Sequence, residues 1–214
     1  MSAFIDAFKL SYFSVPKTAC TTLKTAFFAL ENGRPFADFR CSGKWYYIHN
    51  FYPSSGFKAA PHDRIADHAR FAVVRDPLAR AVSCYRNRVV HYRELGPGRI
   101  SDEFVEKGAV PDPSLDYFLR RLQLYREASV SIRHHTDPLT FFLGTDPAYF
   151  DTIYAMRDID KFAERVAQIT KRTMVLGREQ TGGPNITPDQ VSDEVAERVR
   201  EFYAQDYQVF GRYL

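Results

Sequence analysis

The chain has 214 residues, 45% hydrophobic and 26% charged, with a net charge of +3. That composition suits a folded domain with its own core and argues against extensive disorder, and the excess of basic residues is too small for nucleic-acid binding by charge alone. Cys20, Cys41 and Cys84 show no CxxC spacing and cannot all pair, so no metal site or disulfide scaffold is expected. With no membrane-length apolar run and no signal-peptide h-region, the chain reads as cytoplasmic with no transmembrane segment. Nothing in it sets an oligomeric state.

In chain order, Lys9–Val15 reads as a buried strand. Thr21–Asn32 reads as a helix with Leu23, Phe27, Phe28 and Leu30 inward and Gly33 past its end. Trp45–His49 reads as a short aromatic strand and Tyr52–Ala60 as loop. Phe71–Val74 is a second core strand. Pro77 then sits at the first position of a helix running to about Tyr92.

Glycine and proline recur from Glu94 to Pro113, which predicts a surface excursion. Residues 114–150 read as an insertion opened by a helix from Leu115 to about Tyr125 that Ser114 can cap. Thr152–Met156 is a third core strand, and Asp160 can start a helix to Thr170. A loop, Gly177–Ile186, precedes a last helix opened by Thr187-Pro188 and reaching about Tyr207. Strands alternating with helices predict one α/β domain over residues 1–214, with a central parallel sheet and helices on both faces. Ligands in that architecture bind at the carboxyl ends of the strands.

Two strand-to-helix junctions carry the chemistry. Tyr12–Lys24, YFSVPKTACTTLK, puts a lysine, several hydroxyls and helix-start amides at one point, which is what a phosphate or sulfate group needs. Phe71–Asn87, FAVVRDPLARAVSCYRN, repeats the arrangement with arginines and a serine. Two such cradles imply a ligand with two anionic ends. The first loop contains no glycine and so does not fit GxxxxGK[ST].

Pro16-Lys17-Thr18-Ala19-Cys20-Thr21-Thr22-Leu23-Lys24 resembles the 5′-phosphosulfate loop of PAPS-dependent sulfotransferases, with its closest likeness in the carbohydrate branch. Arg75-Asp76-Pro77 with Arg80, Ser83 and Tyr85 resembles that family's 3′-phosphate motif, in the same order and at the same spacing. His135-Thr136-Asp137-Pro138, Tyr149–Phe162 and Asn185-Ile186-Thr187 are weaker likenesses over the rest of the chain. Thr22 and Leu23 stand where Asn and Trp are usual.

The resemblance implies a P-loop-like sulfotransferase fold. It also implies PAPS as co-substrate, PAP as product, no metal, and a carbohydrate or other hydroxyl-bearing acceptor. Thr18, Ala19, Cys20, Thr21 and Thr22 would present amides and hydroxyls to the 5′-phosphate and sulfuryl oxygens. Lys17 would neutralise the bridging oxygen as the S–O bond breaks, and Arg75 and Ser83 would hold the 3′-phosphate. Cys20 is expected to be a small packing residue rather than a nucleophile.

An acceptor hydroxyl needs a base, for which histidine is suited near neutral pH. His49, read as ending a strand between the cradles, is the first candidate, and His135 is the rival. Trp45, Tyr46 and Tyr47 are candidates to stack on a sugar face or to pack in the core. The competing readings are a P-loop kinase of a small molecule and an inactive nucleotide-binding scaffold. The kinase would need magnesium and normally a glycine-bearing loop.

Overall fold

At the start of the chain β1 (Ala3–Ile5) turns back antiparallel onto β2 (Leu10–Phe13), and the Ser14–Ala19 loop leads into α1 (Cys20–Asn32). Gly33 closes that helix at φ 67°, its amide donating to Ala29 O, a left-handed cap that glycine adopts without penalty. A separate hairpin follows, β3 (Phe39–Cys41) against β4 (Lys44–Tyr46), and then α2 (Ile48–Phe51) and β5 (Ala69–Val74). The computed structural model describes residues 2–177 and 183–214, so part of the expected Gly177–Ile186 loop lies outside the described residues.

The second part of the chain is mostly helical. α3 (Pro77–Cys84) widens without a break into a π-helical stretch, Tyr85–His91. α4 (Asp102–Glu106), α5 (Leu115–Arg120), α6 (Leu122–Ala128), α7 (Val130–Thr136) and α8 (Leu139–Leu143) come next. The chain then returns as β6 (Thr152–Ala155) and α9 (Ile159–Thr170), and ends with α10 (Asp193–Phe202) and α11 (Ala204–Phe210).

Two units form. Met1–Arg75, Leu139–Gln180 and Val209–Leu214 make the first, and Asp76–Pro138 with Thr181–Gln208 the second. The first holds a four-stranded sheet in the order β1-β2-β5-β6, with β2, β5 and β6 parallel. Tyr12, Phe71 and Val73 face a cluster containing Leu23 and Phe27 of α1 and Phe162 and Val166 of α9. Phe13, Ala72 and Val74 face the other way, toward Leu139, Phe142 and Leu143 of α8. Both faces are therefore covered, and β2 is buried throughout, as a central parallel strand requires. Tyr12 stacks on Phe27 at 5.3 Å between ring centroids; burying side chains like Leu23 and Phe27 is worth roughly 1.5–3 kcal/mol each and fixes α1 on the sheet.

The second unit has its own core, in which Leu78, Val82 and Tyr85 meet Phe118, Tyr125, Ile132, Val195 and Tyr203. Leu95, Ile100 and Ala109 join it, so the Glu94–Pro113 segment, expected as a surface excursion, contributes buried side chains alongside exposed residues such as Pro97, Gly98 and Pro111.

The Trp45–His49 expectation needs correction. Only Trp45 and Tyr46 of that run are in a strand, and β4 pairs with β3 alone rather than with the central sheet. Asn50 Oδ1 accepts the Tyr47 amide at 2.8 Å, and the helix of α2 begins at Ile48. The aromatic run looks β-prone in isolation, but an Asn three residues past Tyr47 satisfies the backbone in a way that starts a helix.

Candidate active site

Parallel pairing sets Phe13 of β2 beside Ala72 of β5, so the Ser14–Ala19 loop and Arg75 leave the same carboxyl edge of the sheet. The loop turns tightly because Lys17 and Ala19 both take left-handed backbone, φ 67° and 57°. For residues with a Cβ this costs of order 1–3 kcal/mol each and is typical of ligand clamps. Thr18 is fully buried, and its hydroxyl donates to Val15 O at 2.9 Å. Ala19 supplies no side-chain cap to α1, and the first turn carries no acidic residue. Its leading amides and the positive end of its dipole are thus left for an anion. Lys17, Ala19, Cys20 and Thr21 are partly exposed around this point, and Thr22 is buried.

The structure brings His49 to this helix, on the first turn of α2 rather than at a strand end. Phe51 packs edge-to-face on Phe28 of α1. His49 Nε2 lies 2.9 Å from Thr21 Oγ1, and Nδ1 lies 3.3 Å from Lys24 Nζ. Lys24 also donates to Ser54 Oγ at 2.8 Å, and Ser54 reaches Ser14 Oγ at 2.8 Å. A chain of polar groups thus runs from the end of β2 through Ser54, Lys24 and His49 to Thr21.

Lys24 is the residue that sequence reasoning missed. It is fully buried, and desolvation draws its pKa down to about 8. The signal was present: a lysine between Leu23 and Phe27, on the inward arc of the helix, must find polar partners. Because its folded pKa lies below the unfolded value of 10.5, the unfolded chain binds more protons between these values. Lys24 therefore destabilises the fold fully below about pH 8, and this cost fades as pH rises toward 10.5.

The Arg75–Tyr85 motif separates into framework and candidate contacts. Asp76 Oδ1 caps α3 by accepting the Ala79 amide at 2.9 Å, and its Oδ2 accepts from Tyr207 OH at 2.9 Å. Arg80 is buried and donates to Asp137 O at 2.9 Å, its pKa lowered by desolvation. Tyr85 OH donates to Pro113 O. These three residues build the unit, while Arg75, in the first unit, and Ser83, on α3, are half-buried.

His135 lies on α7, whose end is held by Tyr203 OH donating to Thr136 O at 2.6 Å and by Arg126 paired with Asp137 at 2.8 Å. Its Nδ1 is 2.8 Å from Ser131 O. A carbonyl only accepts, so in the neutral ring Nδ1 carries the proton and Nε2 the lone pair.

A glycine-free, strained loop at the carboxyl edge of a parallel sheet, with a buried lysine on the helix it opens and a histidine of α2 set against that helix, suits a group-transfer protein that handles an anionic group. The model of the sulfotransferase family matches residues 3–213, and the chain belongs to that family. It is a sulfotransferase. No curated protein and no solved structure matches it. Among the described residues no helix is long and apolar enough to cross a membrane.

Proposed function

We propose that this enzyme transfers the sulfuryl group of PAPS to a hydroxyl of a carbohydrate or glycan-like acceptor, giving a sulfate ester and PAP, in the cytoplasm. The observation that carries the reading is the Ser14–Ala19 loop, strained at Lys17 and Ala19 and opening an uncapped helix whose Thr21 meets His49. The family match spans both units, which supports treating residues 1–214 as one transfer domain. Thr18–Thr22 hold the 5′-phosphate and sulfuryl oxygens, Arg75 and Ser83 hold the 3′-phosphate, and Lys17 meets the charge that develops on the bridging oxygen. Sulfuryl transfer of this kind is in-line and loose, so positioning and charge stabilisation supply most of the catalysis.

PAP is expected to bind more tightly than ATP by roughly 3–5 kcal/mol, because ATP lacks the 3′-phosphate that two charge-assisted contacts read. Calorimetry with PAP, ATP and ATP with magnesium measures this. Equal affinities overturn the donor assignment, and a magnesium-dependent preference for ATP favours the small-molecule kinase. Arg75→Ala should weaken PAP far more than its 3′-dephosphorylated analogue.

For the acceptor, Trp45 and Tyr47 on the hairpin side of α2 are 52% and 46% exposed. Asn50 Nδ2 donates to Trp45 O at 2.8 Å, tying this surface to the helix of His49. Exposed aromatic faces suit the apolar side of a sugar ring. Trp45 is the chain's one tryptophan, so its fluorescence should change on titration with chondroitin or neutral oligosaccharides. Turnover of a simple alcohol with no glycan-induced change would overturn the carbohydrate assignment.

A further inference from the structure

We propose that Lys24 is the positioning residue for His49: its charged form holds the imidazole with the proton on Nε2, and its neutral form allows the tautomer whose Nε2 can take a proton from an acceptor hydroxyl. This rests on His49 being the base of the transfer proposed above. An ammonium only donates, so a charged Lys24, 3.3 Å from Nδ1, requires a lone pair there. The neutral ring then carries its proton on Nε2, directed at Thr21 Oγ1 2.9 Å away. In that state it has no second lone pair for a substrate proton.

A neutral amine reverses the chain. It keeps one N–H for Ser54 Oγ at 2.8 Å and offers its lone pair to Nδ1–H, which puts the imidazole lone pair on Nε2. An acceptor hydroxyl taking the place of Thr21 gives its proton to Nε2 as its oxygen forms the new O–S bond. The Nδ1 proton passes to Nζ and restores the ammonium. The bridging S–O bond of the donor breaks, its electron pair leaving on the phosphate oxygen, and Lys24 returns its proton to solvent before the next turnover.

Burial makes the neutral amine accessible near physiological pH, since desolvation brings Lys24 to about 8. The titratable groups acting on it are Cys20, one turn back on α1, whose thiolate would favour the ammonium, and His49 of α2. Ser54 is its neutral partner. Donor phosphates would raise the value, so the profile of kcat/KM, which reports free-enzyme groups, is the one to compare.

The test is a pH titration of ¹⁵N-histidine-labelled protein by NMR, with His49→Gln to assign the resonances. His49 should change from the Nε2–H to the Nδ1–H tautomer with a midpoint near pH 8, and kcat/KM for PAPS should rise with the same midpoint. Lys24→Met, which replaces the buried amine by an apolar chain of similar length, should lose both transitions while still binding PAP by calorimetry. A His49 tautomer that is constant between about pH 6.5 and 9.5, or a pH limb that survives in Lys24→Met, overturns the proposal. If Lys24→Met does not fold, the wild-type titration decides alone. Failure of the donor reading is distinguishable: PAP would not bind, whatever the tautomer does.

Discussion

His49→Ala is expected to lower kcat by about 10²–10⁴ while leaving PAP affinity nearly unchanged, the loss typical of a removed general base. The expectation rests on place. His49 contacts Thr21, on the first turn of the helix that opens from the anion loop, so a hydroxyl replacing Thr21 at Nε2 would meet a sulfuryl group held by that loop. His135→Ala should instead raise the acceptor KM more than it lowers kcat. His135 already has the tautomer of a base, with Nδ1 donating to Ser131 O, so the two variants must be measured side by side. Of these two variants, only the one lacking the true base loses the acidic limb of the pH–rate profile. If His135→Ala erases that limb and His49→Ala keeps it, the roles exchange.

Lys17→Ala should lower kcat on the order of 10²–10³ and weaken PAP binding much less, by analogy with removal of one transition-state donor. Lys17 occupies the left-handed turn of the loop, between the end of β2 and the start of α1. There a positive charge matters most when the leaving oxygen gains negative charge as the S–O bond breaks. Steady-state kinetics with PAP calorimetry separate this role from simple anchoring. Equal losses in PAP affinity and in kcat/KM would make Lys17 a phosphate anchor and nothing more. Alanine also adopts φ near 67° with strain, so a Lys17→Gly control shows how much of the effect is charge and how much is backbone.

The central strands and the turn from β2 into α1 were legible in the residues because their signals are local. A buried apolar run ending in Pro-Lys, followed by helical spacing from Thr21, defines strand, turn and helix without reference to anything distant. Phe71–Val74 and Thr152–Met156 announce their strands in the same way, and Pro77 and Gly33 mark helix ends through backbone constraints they carry themselves. The family likeness followed from the same two junctions, since both motifs are contiguous.

Pairing and partnership were decided by tertiary structure. Nothing local tells Trp45 and Tyr46 to pair with Phe39 and Arg40 rather than with β2, or places His49 on a helix; the aromatic packing of α2 on α1 and the Asn50 hydrogen bonds decide that. The motif around Arg75 reads as one string, yet Asp76, Arg80 and Tyr85 become a cap, a buried clamp and a tether, because their partners lie far away in the chain. Lys24 shows the division most plainly. Its helix position and burial follow from the spacing of Leu23 and Phe27, but His49 and Ser54, 25 and 30 residues away, supply its partners. The sequence determined that a lysine would be inside; the fold determined what it could do there, since a buried amine takes its protonation state from its neighbours.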